Sequence, residues 1–179
     1  MKKMWSSLMF CFATLLFVVP SMNAQAVYTA EQKTRIQVGG GAVALSPDYG
    51  QGTVIGFSAW GDYDFSRFIG LEVSAHLGEF ITPGDITENS YMLGPRFSYR
   101  RHKLTLYAKA LVGRATITNQ DYNLSSSFNM FAFGGGVEYR ILHKINIRLI
   151  DFEQQEWPSF TPSALSPTAA TIGVSYIIH

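Results

Sequence analysis

The sequence predicts an all-β chain, an eight-stranded antiparallel up-and-down barrel, and three observations carry that expectation. Apolar residues alternate with small or polar ones in eight separate segments, and no segment follows a 3.6-residue period. The links between segments are alternately short and long, which collects the long ones at one end of a meander. The alternation also continues through Ile178, so the last segment is a full strand rather than a frayed tail.

The first strand is expected over 34–45, with Ile36, Val38, Ala42 and Ala44 on one face and Arg35, Gln37, Gly39 and Gly41 on the other. The second, 53–63, sets Ile55, Phe57, Ala59 and Tyr63 against Gly56, Ser58, Trp60 and Asp62. The third, 68–77, is the most regular: Ile69, Leu71, Val73, Ala75 and Leu77 alternate with Gly70, Glu72, Ser74 and His76. In the fourth, 90–100, Tyr91, Leu93, Phe97 and Tyr99 oppose Met92, Gly94, Arg96 and Ser98.

The fifth strand, 104–115, places Leu104, Leu106, Ala108, Ala110 and Val112 opposite Thr105, Tyr107, Lys109, Leu111 and Gly113. The sixth, 128–140, divides Phe131, Phe133, Val137 and Tyr139 from Ala132, Gly134, Gly136, Glu138 and Arg140. In the seventh, 145–156, the alternation slips at Leu149-Ile150, after which Asp151, Glu153 and Gln155 share a face. One inserted residue, a β-bulge, restores the pattern. The eighth separates Ala170, Ile172, Val174, Tyr176 and Ile178 from Ala169, Thr171, Gly173 and Ser175. Short links are expected at 64–67, 101–103 and 141–144, and long ones at 46–52, 78–89, 116–127 and 157–167.

At 179 residues the chain is one domain by length, and its 15% charged residues are too few for a disordered or ordinary soluble chain. A formal net charge of +1 gives no electrostatic basis for binding nucleic acid. Lys2 and Lys3, the apolar run 8–19 and the Ala24-Gln25-Ala26 triplet read as a secretory signal peptide over 1–26. Cleavage after Ala26, or after Ala24, would leave a barrel domain over 27–179. The single cysteine, Cys11, lies in the leader, so no disulfide or thiol chemistry is expected.

Alternation does not say which face points inward, since a secreted barrel with an apolar lumen shows the same pattern. Three features point the apolar face outward, into a membrane. The polar face is crowded with small residues such as Gly70, Ser74, Gly94, Gly113 and Gly134, which suit a narrow lumen better than a solvated surface. Aromatic residues gather at both strand ends: Tyr63, Phe65, Phe68, Tyr99, Tyr139 and Tyr176 at the short links, and Phe80, Tyr91, Phe128 and Trp157 at the long ones. Finally, Glu72, Arg96, Lys109, Glu138 and Arg148 lie at similar depth on the polar face. Their mixed signs predict a paired charge network plugging the lumen.

The C-terminal run Thr171-x-Gly173-x-x-Tyr176-x-Ile178 resembles the β-signal of bacterial outer-membrane proteins, with Ile178 in place of the usual final aromatic and His179 after it. Gly94-Pro95-Arg96, Tyr107-Ala108-Lys109 and Gly134-Gly135-Gly136-Val137-Glu138-Tyr139 echo stretches common in small barrels. On these features the chain is identified as a member of the OmpA/OmpX-like outer-membrane β-barrel superfamily. The resemblance implies a bacterial outer-membrane location, short periplasmic turns, longer extracellular loops and contact with outer-membrane lipids. It also implies handling by the barrel-assembly machinery through the last strand, and no cofactor. Activities vary within such a fold family.

The remaining motifs have structural readings. Gly39-Gly40-Gly41 and Gly134-Gly135-Gly136 precede neither a helix nor a Lys-Ser/Thr pair, so they are not phosphate loops. His76, His102, His143 and His179 show no metal-ligand spacing. Ser74 and His76, with Glu72 below, form the best hydrolase-like set. However, alternate residues on one strand stand roughly 7 Å apart and here face the lumen. Trp60 and Tyr107 are expected to fill space. The chain is therefore expected to be no enzyme, with surface interaction carried by loop stretches such as Ser46-Pro47-Asp48-Tyr49, Pro83-Gly84-Asp85, the polar 119–127 run, and Trp157-Pro158-Ser159-Phe160-Thr161-Pro162. A lipid-binding or lipid-modifying barrel and a narrow solute pore are the alternatives.

Overall fold

The computed structural model describes residues 34–48, 52–81, 86–119, 124–158 and 165–178. They form eight strands: β1 (Arg35–Ser46), β2 (Val54–Asp64), β3 (Ile69–Ile81), β4 (Ile86–Arg101), β5 (Leu104–Asn119), β6 (Leu124–Leu142), β7 (Ile145–Glu156) and β8 (Thr168–Ile177). Each strand pairs antiparallel with its chain neighbour, and β8 returns to β1 to close the barrel. The closing seam runs from Gln37 opposite Ile177 to Ser46 opposite Thr168. Closure leaves no sheet edge, so backbone groups are satisfied within the wall, as a bilayer interior demands.

The apolar face points outward on every strand. Val73, Val112, Phe133 and Ile172 are each more than half exposed, whereas Glu72, Arg96, Lys109, Glu138 and Arg148 are buried. In water this arrangement would be inside out. In lipid the exposed band is the side that makes the favourable contacts. Tyr63, Phe65, Phe68, Tyr99, Tyr139 and Tyr176 form the exposed aromatic girdle expected at the short-turn end.

The slip in β7 is a bulge, as its sequence indicates. Ile150 pairs with Val137 and Arg148 with Glu138, so Leu149 is the extra residue against β6. On the other side Arg148 faces Gly173 and Asp151 faces Thr171. Leu149 and Ile150 both point to lipid. Arg148 and Asp151 on either side of them therefore both enter the lumen, where alternation alone would have separated them.

Two of the expected long links are mostly strand. The β3–β4 ladder reaches Gly78 opposite Glu88, and the β5–β6 ladder reaches Asn119 opposite Leu124. Residues 116–127 look like a loop in composition, yet their hydroxyls bond across the ladder. Thr116 Oγ1 lies 2.9 Å from Ser127 Oγ, and Thr118 Oγ1 donates to Ser125 Oγ over 3.3 Å. Consequently β4, β5 and β6 have 16, 16 and 19 residues, whereas β1, β2, β7 and β8 have 10 to 12. The leader 1–26 with Ala24 and Ala26, Tyr49, the 83–85 and 159–162 loop stretches and His179 lie outside the described residues.

Candidate functional site

The lumen divides into layers. Its middle holds five carboxylates, Asp62, Glu72, Glu138, Asp151 and Glu153, around the three cations Arg96, Lys109 and Arg148. Arg96 reaches Asp62 Oδ2 at 2.5 Å through Nη1 and Glu138 Oε1 at 2.8 Å through Nη2. Lys109 Nζ lies 2.7 Å from Glu72 Oε1 and 2.6 Å from both Asp151 Oδ2 and Glu153 Oε1. Arg148 joins the two groups, with Nη1 2.7 Å from Asp151 Oδ2 and Nη2 3.2 Å from Glu138 Oε1 and 3.3 Å from Glu72 Oε2.

The network carries a formal excess of two negative charges, and the Gln37 amide adds hydrogen bonds to two of its carboxylates. Gln37 Nε2 donates to Asp62 Oδ2 at 2.5 Å and to Glu138 at 3.2 Å. Its own Oε1 accepts from Asn146 Nδ2 at 3.0 Å and from Arg35 Nη2 at 2.6 Å. Desolvating this many charges is costly, and only mutual pairing with further hydrogen bonds offsets it. Every one of the five lumen charges singled out in the sequence enters this one cluster. Asp62, Asp151, Glu153 and Gln37 complete it and were not singled out as its members. Their signal was present: Asp62 lies on the polar face of its strand, and the bulge turns Asp151 and Glu153 to that face.

Trp60 and Tyr107 do more than occupy space. The Arg148 guanidinium carbon stands 4.0 Å from the Trp60 ring centroid and 5.1 Å from that of Tyr107. Arg96 lies over the Tyr107 ring as well, 4.1 Å from its centroid. Ring faces thus carry part of the charge stabilisation that water would otherwise supply. Glycines make room for both rings. A Cβ on Gly39 would strike the Trp60 indole, and one on Gly136 would come within 2.6 Å of the Tyr107 hydroxyl.

Glu72, Asp151 and Glu153 place one oxygen each within 4.8 Å of one another, a spacing suited to a metal ion. The Lys109 ammonium touches all three, so the chain fills that position with its own cation. Ser74 and His76 are both buried in the lumen. His76 Nε2 is turned to Glu153 Oε1 at 3.7 Å, and Ser74 Oγ has no hydrogen-bond partner among the described residues.

Above the charges two apolar clusters share the lumen with buried Glu88, Ser90 and Gln155. Met92, Leu111, Ala115, Met130, Ala132, Trp157 and Leu165 form one buried cluster, and Val43, Leu45, Val54 and Ala169 another. The sequence expectation that Trp157 is an exposed loop aromatic is corrected here: it is 0% exposed. Its ring stacks on Phe128 at 6.2 Å, its Nε1 donates to Gln155 Oε1 at 3.2 Å, and its backbone bridges to Leu165. Alternation past Gln155 sends position 157 inward, and the half-buried Phe128 follows it away from the outer girdle. Phe80 and Tyr91 remain exposed.

In the last strand, Thr171 is buried while Tyr176 and Ile178 are exposed to lipid. Gly173 packs against the seam, where a Cβ would come within 2.7 Å of Gly41 Cα and of the Trp60 ring.

A closed antiparallel barrel, apolar outside and ionic within, is an integral membrane β-barrel. The sequence matches the family described as outer membrane protein beta-barrel domain over residues 12–177, and the chain belongs to that family. It is a bacterial outer-membrane protein. The N-terminal barrel domain of Pseudomonas aeruginosa OprF superposes with a TM-score of 0.60 at 13% identity, covering 82% of this chain and 98% of that one. OprG of the same organism gives 0.58 at 13% identity, over 82% and 97%. Neisserial surface protein A gives 0.57 at 12% identity, over 80% and 96%. At these identities the likeness is one of fold. Comparison with curated proteins finds no match.

Proposed function

We propose that the protein is a non-enzymatic outer-membrane barrel whose lumen is closed and whose long-loop end carries surface interaction. The observation that supports this most is the wall-to-wall bridging of the lumen by Arg96, Lys109 and Arg148 with their five carboxylates, beneath the Trp157 layer. Opening such a path would require breaking several charge pairs in a desolvated space. Ser74 and His76 sit in that same enclosed interior, out of reach of lipid, which disfavours the lipid-hydrolase reading.

Within this reading, residues 1–26 direct export, the barrel follows over 27–179, and Thr171, Gly173, Tyr176 and Ile178 present the final strand to the assembly machinery. The test is conductance across a planar bilayer. Purified protein is expected to give no ion steps, and neither Glu72→Gln nor Arg148→Gln should create regular ones. Stable unitary steps in the unmodified protein would replace the closed barrel with a narrow pore.

A further inference from the structure

We propose that the short-turn end of the barrel is a binding surface for anionic phospholipid headgroups in the leaflet it faces. Outside the lumen network, ionisable residues are segregated between the two ends. The long-loop end carries Asp48, Glu79, Glu88 and Glu156 with Arg114 as its cation among the described residues. At the short-turn end the balance is reversed. Arg67, Lys103 and Lys144 are exposed on the turns and Arg101 at the end of β4, and Arg35, Arg100 and Arg140 stand just inside the mouth.

Asp64 is the carboxylate at that end among the described residues, and it is buried and already paired with Arg100. Arg35 is held by Gln37. No carboxylate among the described residues lies within ion-pair distance of Arg67, Arg101, Lys103 or Lys144. Among the described residues, four outward cations therefore have no carboxylate partner.

Their depth identifies the ligand class. The Arg67 guanidinium lies 5.3 Å from the Phe68 ring centroid and the Lys144 ammonium 5.9 Å from that of Tyr176. Both rings belong to the exposed girdle, which marks the level where hydrocarbon meets headgroup. Cations at that level meet lipid phosphates. The four are also distributed at the β2–β3, β4–β5 and β6–β7 turns, around the circumference rather than in one pocket. A ring of this kind suits a shell of several lipids better than a single soluble anion. The attraction is that of a basic membrane-proximal segment for an anionic surface.

The test uses the folded barrel in nanodiscs of mixed phosphatidylcholine and phosphatidylglycerol, with retained lipid identified by native mass spectrometry. Phosphatidylglycerol should be enriched about fivefold over its share of the mixture, on the scale of such charge–headgroup attraction, and the enrichment should fall in high salt. Replacing Arg67, Arg101, Lys103 and Lys144 together by Gln should abolish it, while Arg114→Gln at the opposite end should leave it unchanged. If the fourfold variant fails to show the mobility shift on boiling, the pairs R67Q/K144Q and R101Q/K103Q should each lower it. No enrichment in the unmodified barrel, or enrichment that survives these changes, would overturn the proposal.

Discussion

The Lys109 ammonium sits 2.6 Å from Glu153 Oε1 and simultaneously touches Glu72 and Asp151, so one side chain from β5 holds together carboxylates from β3 and β7. Lys109→Met should leave three close, desolvated carboxylates opposed by Arg148 and, 3.7 Å from Glu72 Oε2, by Arg96. Breaking a buried pair in this way costs about 3–5 kcal/mol. Urea unfolding of the detergent-solubilised barrel, followed by gel mobility, should show the midpoint fall accordingly. An unchanged midpoint would mean the carboxylates are not held by Lys109.

The β7 bulge gives a sharper prediction, because Leu149 is the residue that interrupts alternation. Deleting Leu149 should bring Arg148 and Ile150 into ordinary alternation and regular pairing with both neighbours, and leave Asp151, Glu153 and Gln155 facing the lumen. The shortened strand should therefore still fold and keep the boiling-dependent shift, and loss of the shift would mean that the bulge itself is required. Exchanging Leu149 for Val keeps the extra residue, and its effect should be small.

Trp157→Ala removes the largest side chain of the apolar layer and leaves Gln155 Oε1 without its indole donor. A loss of about 3–5 kcal/mol is expected for truncating a buried tryptophan. Limited proteolysis should then cut first between Trp157 and Leu165, whose bridge ties that link down.

Gly173 and Tyr176 both belong to the final-strand motif, yet their environments separate their roles. Gly173→Ala forces a methyl against Gly41 and Trp60, and overpacking of this kind costs about 1–3 kcal/mol. The loss should appear in purified, refolded protein. Tyr176 faces lipid, so Tyr176→Ala should leave refolded stability nearly intact and slow insertion in cells. A pulse-chase of membrane insertion, set beside unfolding in vitro, distinguishes the two.

Strand identity and facing were legible because period-two alternation is local, and even the β7 slip was visible in Leu149-Ile150. Convergence was not. Asp62, Lys109 and Asp151 meet only through the stagger of strands around the closed wall, which no single segment encodes. Strand length at 116–127 is hidden in the sequence for a different reason. Thr, Ser and Asn mark loops by composition, but here they line the part of β5 and β6 beyond the apolar band and pair across it. The prolines that follow Trp157 suggest a loop, whereas the parity of β7 directs the residue inward.

The unequal strand lengths give the rim a slant. β4, β5 and β6 continue past the apolar band while β1, β2, β7 and β8 stop near it. Toward β4–β6 an approaching partner meets a polar hydroxyl-bearing parapet. Between β1 and β8 the ladder ends at Ser46 opposite Thr168. Among the described residues the wall therefore has a taller and a shorter side, an asymmetry that lies within the plane of the membrane.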